Sequence, residues 1–316
     1  MFKRNLRELS NHNQPFFSVV IPCHNCENWI EQTLDSVASQ DFKNFELIAV
    51  DDGSTDGTVS AIEHWVGLHP QVCCLVKRQS NLYQGAARNT GIRFSRGTFV
   101  AFLDADDIWS PSKLSRCFEE LENHPDVDVV CHNVWLVNKG IRLKQLVAGP
   151  YRSYEDLLFR GNALSPSATV VRKEWLERVK GFSESPELFC VEDYDLWLRL
   201  AREGARISYI NEPLGEYVVH QDNMTVRKSK LYHENQIKLL KKHHDDWPNP
   251  TCRQKKMMKR SLSICGLLLA KAMATEGDYF EAWRLWGGIF FPNPLFIRSW
   301  ACFFFLLLKS PQMKSN

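Results

Sequence analysis

The sequence predicts an α/β protein: a mixed, mostly parallel sheet flanked by helices, followed by a helical extension. Three observations carry this. Short apolar runs alternate with segments of helical periodicity through the first half of the 316 residues. Two of those runs end in acidic clusters, at 51–56 and 104–107. Near residue 222 the composition changes, turning basic and then aromatic. Strands alternating with helices argue a sheet with helices on both faces. In such sheets ligands bind beyond the carboxyl ends of the strands, where the acidic clusters fall.

Element by element, FSVVIP at 17–22 reads as a buried strand, followed by a helix over 27–40 with Ile30, Leu34 and Val37 on one face. FELIAV at 45–50 is a second strand, running into the turn-rich DDGSTDG. A helix with Val59, Ile62 and Val66 follows, then a strand at 72–76, a helix over 84–95 and a strand at 98–103. Ser110-Pro111 reads as an N-cap with Pro at the first helical position. Further strands are expected at 168–172 and 206–210. EDYDLWLRLARE at 192–203 reads as an acidic loop running into a helix. The expected domains are a tail over 1–15, a catalytic domain over 16–222 and a basic, then apolar helical extension over 223–316.

Composition excludes several classes. Hydrophobic residues at 44% and charged residues at 24% are ordinary globular values. The net charge of +2 lacks the basic excess of a duplex-binding domain, so no nucleic-acid partner is expected. A mean hydropathy of −0.32 excludes a polytopic membrane protein. The N-terminus has no apolar secretory core, so a cytoplasmic location and reduced thiols are expected for the ten cysteines. Cys23 and Cys26 form a CxxC without a second ligand pair at zinc spacing; it reads as a redox pair or as packing.

Asp104-Ala105-Asp106, with Asp107 next, places carboxylates at a strand end. Clustered carboxylates repel unless a cation offsets them, and hard oxygen ligands suit Mg²⁺ or Mn²⁺. The same residues also read as a helix cap with surface charge, and DDGSTD as a plain turn.

Taken together, SVVIPCHN at 18–25, VDDGSTDGT at 50–58, AARNTGI at 86–92, FLDADD at 102–107 and VEDYDLWLRL at 191–200 resemble the family 2 glycosyltransferases with the GT-A fold. The resemblance covers about residues 16–220. It implies an inverting enzyme that moves a hexosyl or N-acetylhexosaminyl group from a nucleotide-sugar, a UDP-sugar in the first instance, to a glycan or lipid-linked hydroxyl. Pro22, Cys23 and His24 would line the nucleotide pocket. Asp52 would meet the uracil edge with Asp51 beside it. Arg88 and Asn89 would face the nucleotide-sugar. Asp106 would bind the metal, Mn²⁺ or Mg²⁺, with Asp104 on ribose or a metal-bound water. His220 matches a family histidine near the metal or diphosphate, or else is structural. Asp193 matches the general base, Glu192 would support acceptor binding, and Asp195 would cap or pair with Arg199. Where the family often has Gly, Tyr83 stands. Trp109, Trp135 and Trp197 are expected in the core.

Two other functions fit parts of the sequence less well. A sugar nucleotidyltransferase wants a Gly-rich basic loop after the first strand, and PCHNCENW has neither Gly nor Lys/Arg. A silent nucleotide-sugar-binding subunit sits poorly with intact Asp104, Asp106 and Asp193. In the extension, residues 227–260 hold eleven Lys/Arg against three Asp/Glu, and SWACFFFLLL at 299–308 is too short to span a bilayer. That segment is either a core helix or an interfacial one, with the basic stretch meeting anionic headgroups of a membrane surface.

Overall fold

The structure is a computed structural model that describes residues 14–309 apart from 73, 151–152, 222 and 293–295. The expected tail therefore lies outside the described residues except for Gln14 and Pro15, as do Cys73 and the last seven residues. The chain divides into two compact units. One comprises residues up to Leu157, Asn162–Glu184 and Glu192–His220; the other Leu158–Gly161, Ser185–Val191 and residues from Gln221 on.

Among the described residues of the first unit, nine strands form one sheet. They are β1 (Phe17–Cys23), β2 (Phe45–Asp52), β3 (Cys74–Gln79), β4 (Phe99–Phe102), β5 (Ile108–Trp109), β6 (Val129–Asn138), β7 (Ile141–Leu146), β8 (Thr169–Arg172) and β9 (Ile207–Val219). Their order is β3-β2-β1-β4-β8-β6-β9-β5, with β7 beside β6. The first four strands pair in parallel, while β8 joins β4 and β6 antiparallel. The helices α1 (Ile30–Ala38), α2 (Thr58–Leu68) and α3 (Tyr83–Phe94) connect the parallel strands, and α4 (Lys113–Asn123) follows β5. The chain walks from β1 outward to β3, then α3 carries it back to β4 on the other side of β1. At such a reversal in strand order, sheets of this kind bind ligands beyond the carboxyl ends of the strands, here those of β1 and β4.

Packing explains the parallel half. Val19, Ile21, Leu47, Ala49, Phe99 and Ala101 are fully buried and meet Ile30, Leu34, Ile62 and Leu114 from the helices. On α3, Gly91 has no alternative, because a Cβ there would lie 2.2 Å from a Val20 methyl. The α4 start differs from expectation. Ser112, not Ser110, stands at the N-cap, and Pro111 lies before the helix. The buried amide of Leu114, in the first turn, is met by the Gln40 side chain, whose own amide donates to the Ser110 carbonyl. A cap supplied from the end of α1 made a local Ser-Pro start unnecessary.

Three further elements are longer than, or absent from, the sequence expectation. The 206–210 strand continues through GEYVV as the 13-residue β9. The β6–β7 hairpin turns on Lys139 and Gly140, both with positive φ, the geometry that matches strand twist. The presumed acidic loop is already α7 (Glu192–Arg202), preceded by α5 (Tyr154–Arg160) and α6 (Lys173–Arg178).

The second unit is helical: α8 (Met224–Arg227), α9 (Ser229–Asp245), α10 (Cys252–Thr275), α11 (Tyr279–Phe290) and α12 (Ile297–Lys309). Thr251 and Gln254 cap α10 reciprocally. Leu267, Ala270, Ala274, Ala282, Trp286, Cys302 and Leu306 make its core. Trp286 Nε1 donates to the Ser299 carbonyl at 2.8 Å, tying α11 to α12. Among the described residues no helix is long and apolar enough to cross a membrane.

Candidate active site

The residues that the resemblance assigns to the site lie in the first unit, at or just past the carboxyl ends of β1, β2 and β4, on α3, at the start of α7 and just past β9. Pro22 is buried in β1 opposite Val50. His24 is exposed; its Nδ1 donates to the Asp52 carbonyl at 2.9 Å, and Asn81 Nδ2 lies 3.3 Å from its Nε2. This imidazole thus links β1, β2 and the loop before α3. Asp51 is buried and accepts the Ser54 amide, closing the DDGS turn. Gly53 takes φ +73°, and a Cβ on it would press on the Asn81 backbone at 2.9 Å. Asp52 commits Oδ1 to Gln79 Nε2 at 2.7 Å and to the Leu82 amide at 2.9 Å. That oxygen therefore shapes the loop ahead of α3. Tyr83, in the place of a family glycine, adopts φ +69°.

Arg88 and Asn89, expected to face the nucleotide-sugar, both make hydrogen bonds within the protein. Arg88 is 1% exposed. Its two terminal nitrogens donate to Asp104 Oδ1 at 2.7 Å and to Glu192 Oε1 at 2.9 Å. Those two carboxylates hold its guanidinium charged against burial. A buried guanidinium must be paired, and the two acidic strand and helix ends supply the pairing. Arg88 therefore bridges the DxD loop and α7. Asn89 is equally occupied: its Nδ2 donates to the Phe182 carbonyl and Glu184 Oε1, and its Oδ1 accepts the Phe182 amide. It fastens the 182–184 loop to α3.

Asp106 Oδ2 lies 2.9 Å from His220 Nε2, and the imidazole stacks on Trp29 with ring centroids 4.3 Å apart. Among the described residues no three His, Cys, Asp or Glu side chains converge to hold an ion. An oxygen and an imidazole nitrogen facing one another still fit Mn²⁺ or Mg²⁺, which leave other positions to phosphate oxygens and water. Asp107 is buried, accepting Ser167 Oγ at 2.5 Å and the Val218 amide at 3.1 Å. Burial and its neighbours Asp106 and Asp104 push its carboxyl well above the ordinary range.

At the start of α7, Asp193 Oδ2 accepts from Asn162 Nδ2 at 3.1 Å and Oδ1 from the Tyr194 amide at 2.7 Å. Burial first, then the charge of Glu192, pushes its carboxyl up to about 7; Arg88 and these two hydrogen bonds oppose the rise. Glu192 Oε2 is buried without a hydrogen-bond partner. Asp195 pairs with Arg199 at 2.7 Å. Trp109 and Trp197 are core residues, donating to the Ser167 and Leu164 carbonyls. Trp135 is half-buried beneath Arg142. The nine described cysteines are all free thiols. Sequence reasoning missed Trp29, Asn162 and Ser167. Asn162 lies on a loop, Ser167 in a single 3-10 turn and Trp29 at the cap of α1, off its apolar face, so no apolar periodicity marks them as site residues.

The site thus gathers the carboxylates of the DxD loop and of the α7 start around the buried Arg88 guanidinium. Comparison with known proteins gives the family. Residues 18–179 match the glycosyl transferase family 2 description, and 99–307 match glycosyl transferase family group 2. The chain belongs to glycosyl transferase family 2 and is a glycosyltransferase with the GT-A fold. It is 34% identical over 212 residues to the amylovoran biosynthesis glycosyltransferase AmsB of Erwinia amylovora, covering 64% of this chain and 69% of AmsB. It is 26% identical to chondroitin synthase of Escherichia coli, covering 75% of this chain but only 34% of that protein. S. aureus TarS matches with a TM-score of 0.61 and 24% identity, over 78% of this chain and 43% of TarS. The mannosyltransferase PcManGT from Pyrobaculum calidifontis, solved with GDP-Man and Mn²⁺, matches with a TM-score of 0.63 and 20% identity, over 99% of this chain and 94% of its own.

Proposed function

We propose that the enzyme transfers a sugar from a nucleotide-sugar, a UDP-sugar in the first instance, to a hydroxyl of a glycan or lipid-linked acceptor, with inversion. The observation that carries this is Asp193: a carboxyl raised to about 7, held by Asn162 and standing apart from the carboxylates at 104–106. A general base works best with a pKa near the operating pH. Asp193 takes the proton of the acceptor hydroxyl as that oxygen bonds to the anomeric carbon. The bond from that carbon to the diphosphate breaks on the opposite face, so one displacement inverts the centre. The nucleoside diphosphate departs with the electron pair. Asp106 and His220 would hold Mn²⁺ or Mg²⁺, with Asp104 beside them, and the cation offsets the charge left on the diphosphate. Arg88, buried between Asp104 and Glu192, holds the donor side and the base side in register. The nucleotide pocket is the crevice at Pro22, His24, Asp51 and Asp52. TarS was also solved with UDP and with UDP-GlcNAc, and the mannosyltransferase with GDP-Man, so structural neighbours include both a uridine and a guanosine donor.

The reading extends to a membrane surface. Residues 221–316 carry 16 Lys/Arg against seven Asp/Glu, while residues 1–220 carry 23 against 30. The positive excess sits on the helical unit, where α12 exposes Ile297, Trp300, Phe304, Leu307 and Leu308. Basic charge beside an apolar helix face suits an anionic bilayer surface.

The deciding experiment is single-turnover transfer with Asp193→Asn and Asp106→Ala, alongside donor affinity by calorimetry. Asp193→Asn is expected to bind donor and metal normally while transfer falls about 10²-fold or more, the usual range for a general base. Asp106→Ala is expected to lose binding and rate together. Near-normal turnover in Asp193→Asn would move the base to another residue.

A further inference from the structure

We infer that Asp107, the carboxylate that follows the DxD pair and has no part in the reaction above, is the positioning residue that fixes both halves of the metal site against each other. Its side chain is buried, and each of its oxygens is spent on a different segment. Oδ2 accepts the hydroxyl of Ser167 at 2.5 Å, and that hydroxyl in turn accepts the Asp104 amide at 3.0 Å. Oδ1 accepts the amide of Val218 at 3.1 Å, two residues ahead of His220. The loop carrying Asp107 is itself anchored, since Thr33 Oγ1 donates to the carbonyls of Ala105 and Asp107 at 2.9 Å. Trp109 Nε1 holds the Ser167 carbonyl at 2.7 Å from the other side.

One carboxylate thus joins the DxD turn, the Ser167 loop and the end of β9. Asp106 and His220 come from segments 114 residues apart, and their side chains meet at 2.9 Å. No covalent link or continuous strand sets that distance. β9 reaches the DxD region through two register pairs, Ile108↔Glu216 and Trp109↔Gly215, and both lie before Val218. The Asp107–Val218 bond carries that attachment toward His220. A site that must hold a cation and a diphosphate together depends on such support for its ligands.

The inference rests on the reading of Asp106 and His220 as metal ligands, and the experiment separates the two. The full chain carrying Asp107→Asn, Ser167→Ala or both is compared with wild type and Asp106→Ala. Binding of UDP, and of GDP in parallel, is measured by calorimetry across a Mn²⁺ titration, with thermal unfolding as the check on folding. Asp107→Asn keeps an acceptor for Val218 but loses the one for the Ser167 hydroxyl. The expected result is a Mn²⁺ half-saturation raised at least tenfold in Asp107→Asn and in Ser167→Ala, with little further loss in the double variant, because both act through one bond. If Asp107→Asn does not fold, Ser167→Ala carries the decision. Half-saturation within twofold of wild type in the folded variants overturns the inference. If wild-type nucleotide binding ignores both Mn²⁺ and Asp106→Ala, the metal reading alone has failed. Asp107 is then judged on metal-free nucleotide affinity: tenfold weaker in both variants supports it, and no change overturns it.

Discussion

At the scale of single residues, the base is tuned by its neighbour. Glu192 raises the Asp193 carboxyl, so Glu192→Gln should move the acid limb of the transfer rate to lower pH. The wild-type rate should rise through about pH 7 and level off above it, as expected for a base that works ionised. A pH–rate profile of both proteins checks the direction. The same shift costs stability. Between 3.8 and about 7 the folded protein keeps a proton that the unfolded chain has lost, so this group's contribution falls as pH rises through that window. Tyr83 offers a separate case. A non-glycine side chain at φ +69° is strained by about 1–2 kcal/mol, part of which glycine returns as unfolded-state entropy. Tyr83→Gly should therefore raise stability by about 0.5–1 kcal/mol in urea denaturation. Unchanged or lower stability would show that the exposed ring repays the strain. The residues at 51–52, 104–106 and 192–193 stand out in the sequence because five motifs occur in one order at family spacing; each cluster alone reads equally well as a turn or a helix cap. The duties of Arg88 and Asn89 were not legible. Their partners Glu192 and Phe182 lie 104 and 93 residues away, and no local pattern encodes that meeting.

At the scale of elements, α12 has two apolar faces. Ser299, Cys302 and Leu306 face the helical core, while Ile297, Trp300, Phe304, Leu307 and Leu308 face outward. Deleting the segment would strip that core as well as the surface, so substitution is the cleaner test. The full chain should sediment with anionic vesicles at low salt. Changing Ile297, Leu307 and Leu308 to Ser, and leaving Trp300 and Phe304 with their ring contacts to Phe290 and Phe303, should greatly weaken this while the melting temperature stays near the wild-type value. Added salt should release the wild type in part, since only the basic contribution is screened. Wild-type protein left in the supernatant at low salt would end the membrane reading. The sequence held both alternatives for this helix, and apolar content alone could not separate them, because a stripe buried in a bundle and one resting on lipid have the same period. The strands β1, β2 and β4 are readable as continuous apolar runs buried on both faces, whereas the edge strand β3, expected at 72–76, is only partly buried and runs over Cys74–Gln79 into Lys77 and Arg78. The β6–β7 hairpin carries one local signal, the Lys139-Gly140 turn, and no alternation in β7 strong enough to announce a strand. β9 was cut short because Asn211, Glu212 and Pro213 interrupt its apolar pattern where its register shifts against β6.

At the scale of the whole molecule, a ligand that binds only the folded state stabilises it. At one hundred times its dissociation constant, the right nucleotide should add about 2.7 kcal/mol to unfolding. Thermal unfolding with UDP and GDP, each with and without Mn²⁺, is expected to show the larger shift for UDP with metal, and loss of the metal increment in Asp106→Ala. An equal response to both nucleotides would place donor choice in the sugar pocket instead of the base.

The sheet order has a consequence for how these molecules behave when crowded. A nine-stranded sheet would ordinarily present long rims of unpaired amides and carbonyls, templates on which a neighbouring chain could add a strand. Here one rim is β3, which carries Lys77 and Arg78, the latter ion-paired with Glu63. The other is β5, only two residues long. The outlying β7 carries Arg142 and Lys144 among its exposed positions. Each rim is thus charged or too brief to template growth, so concentrated protein should resist strand-by-strand polymerisation even while its helical unit retains an apolar face.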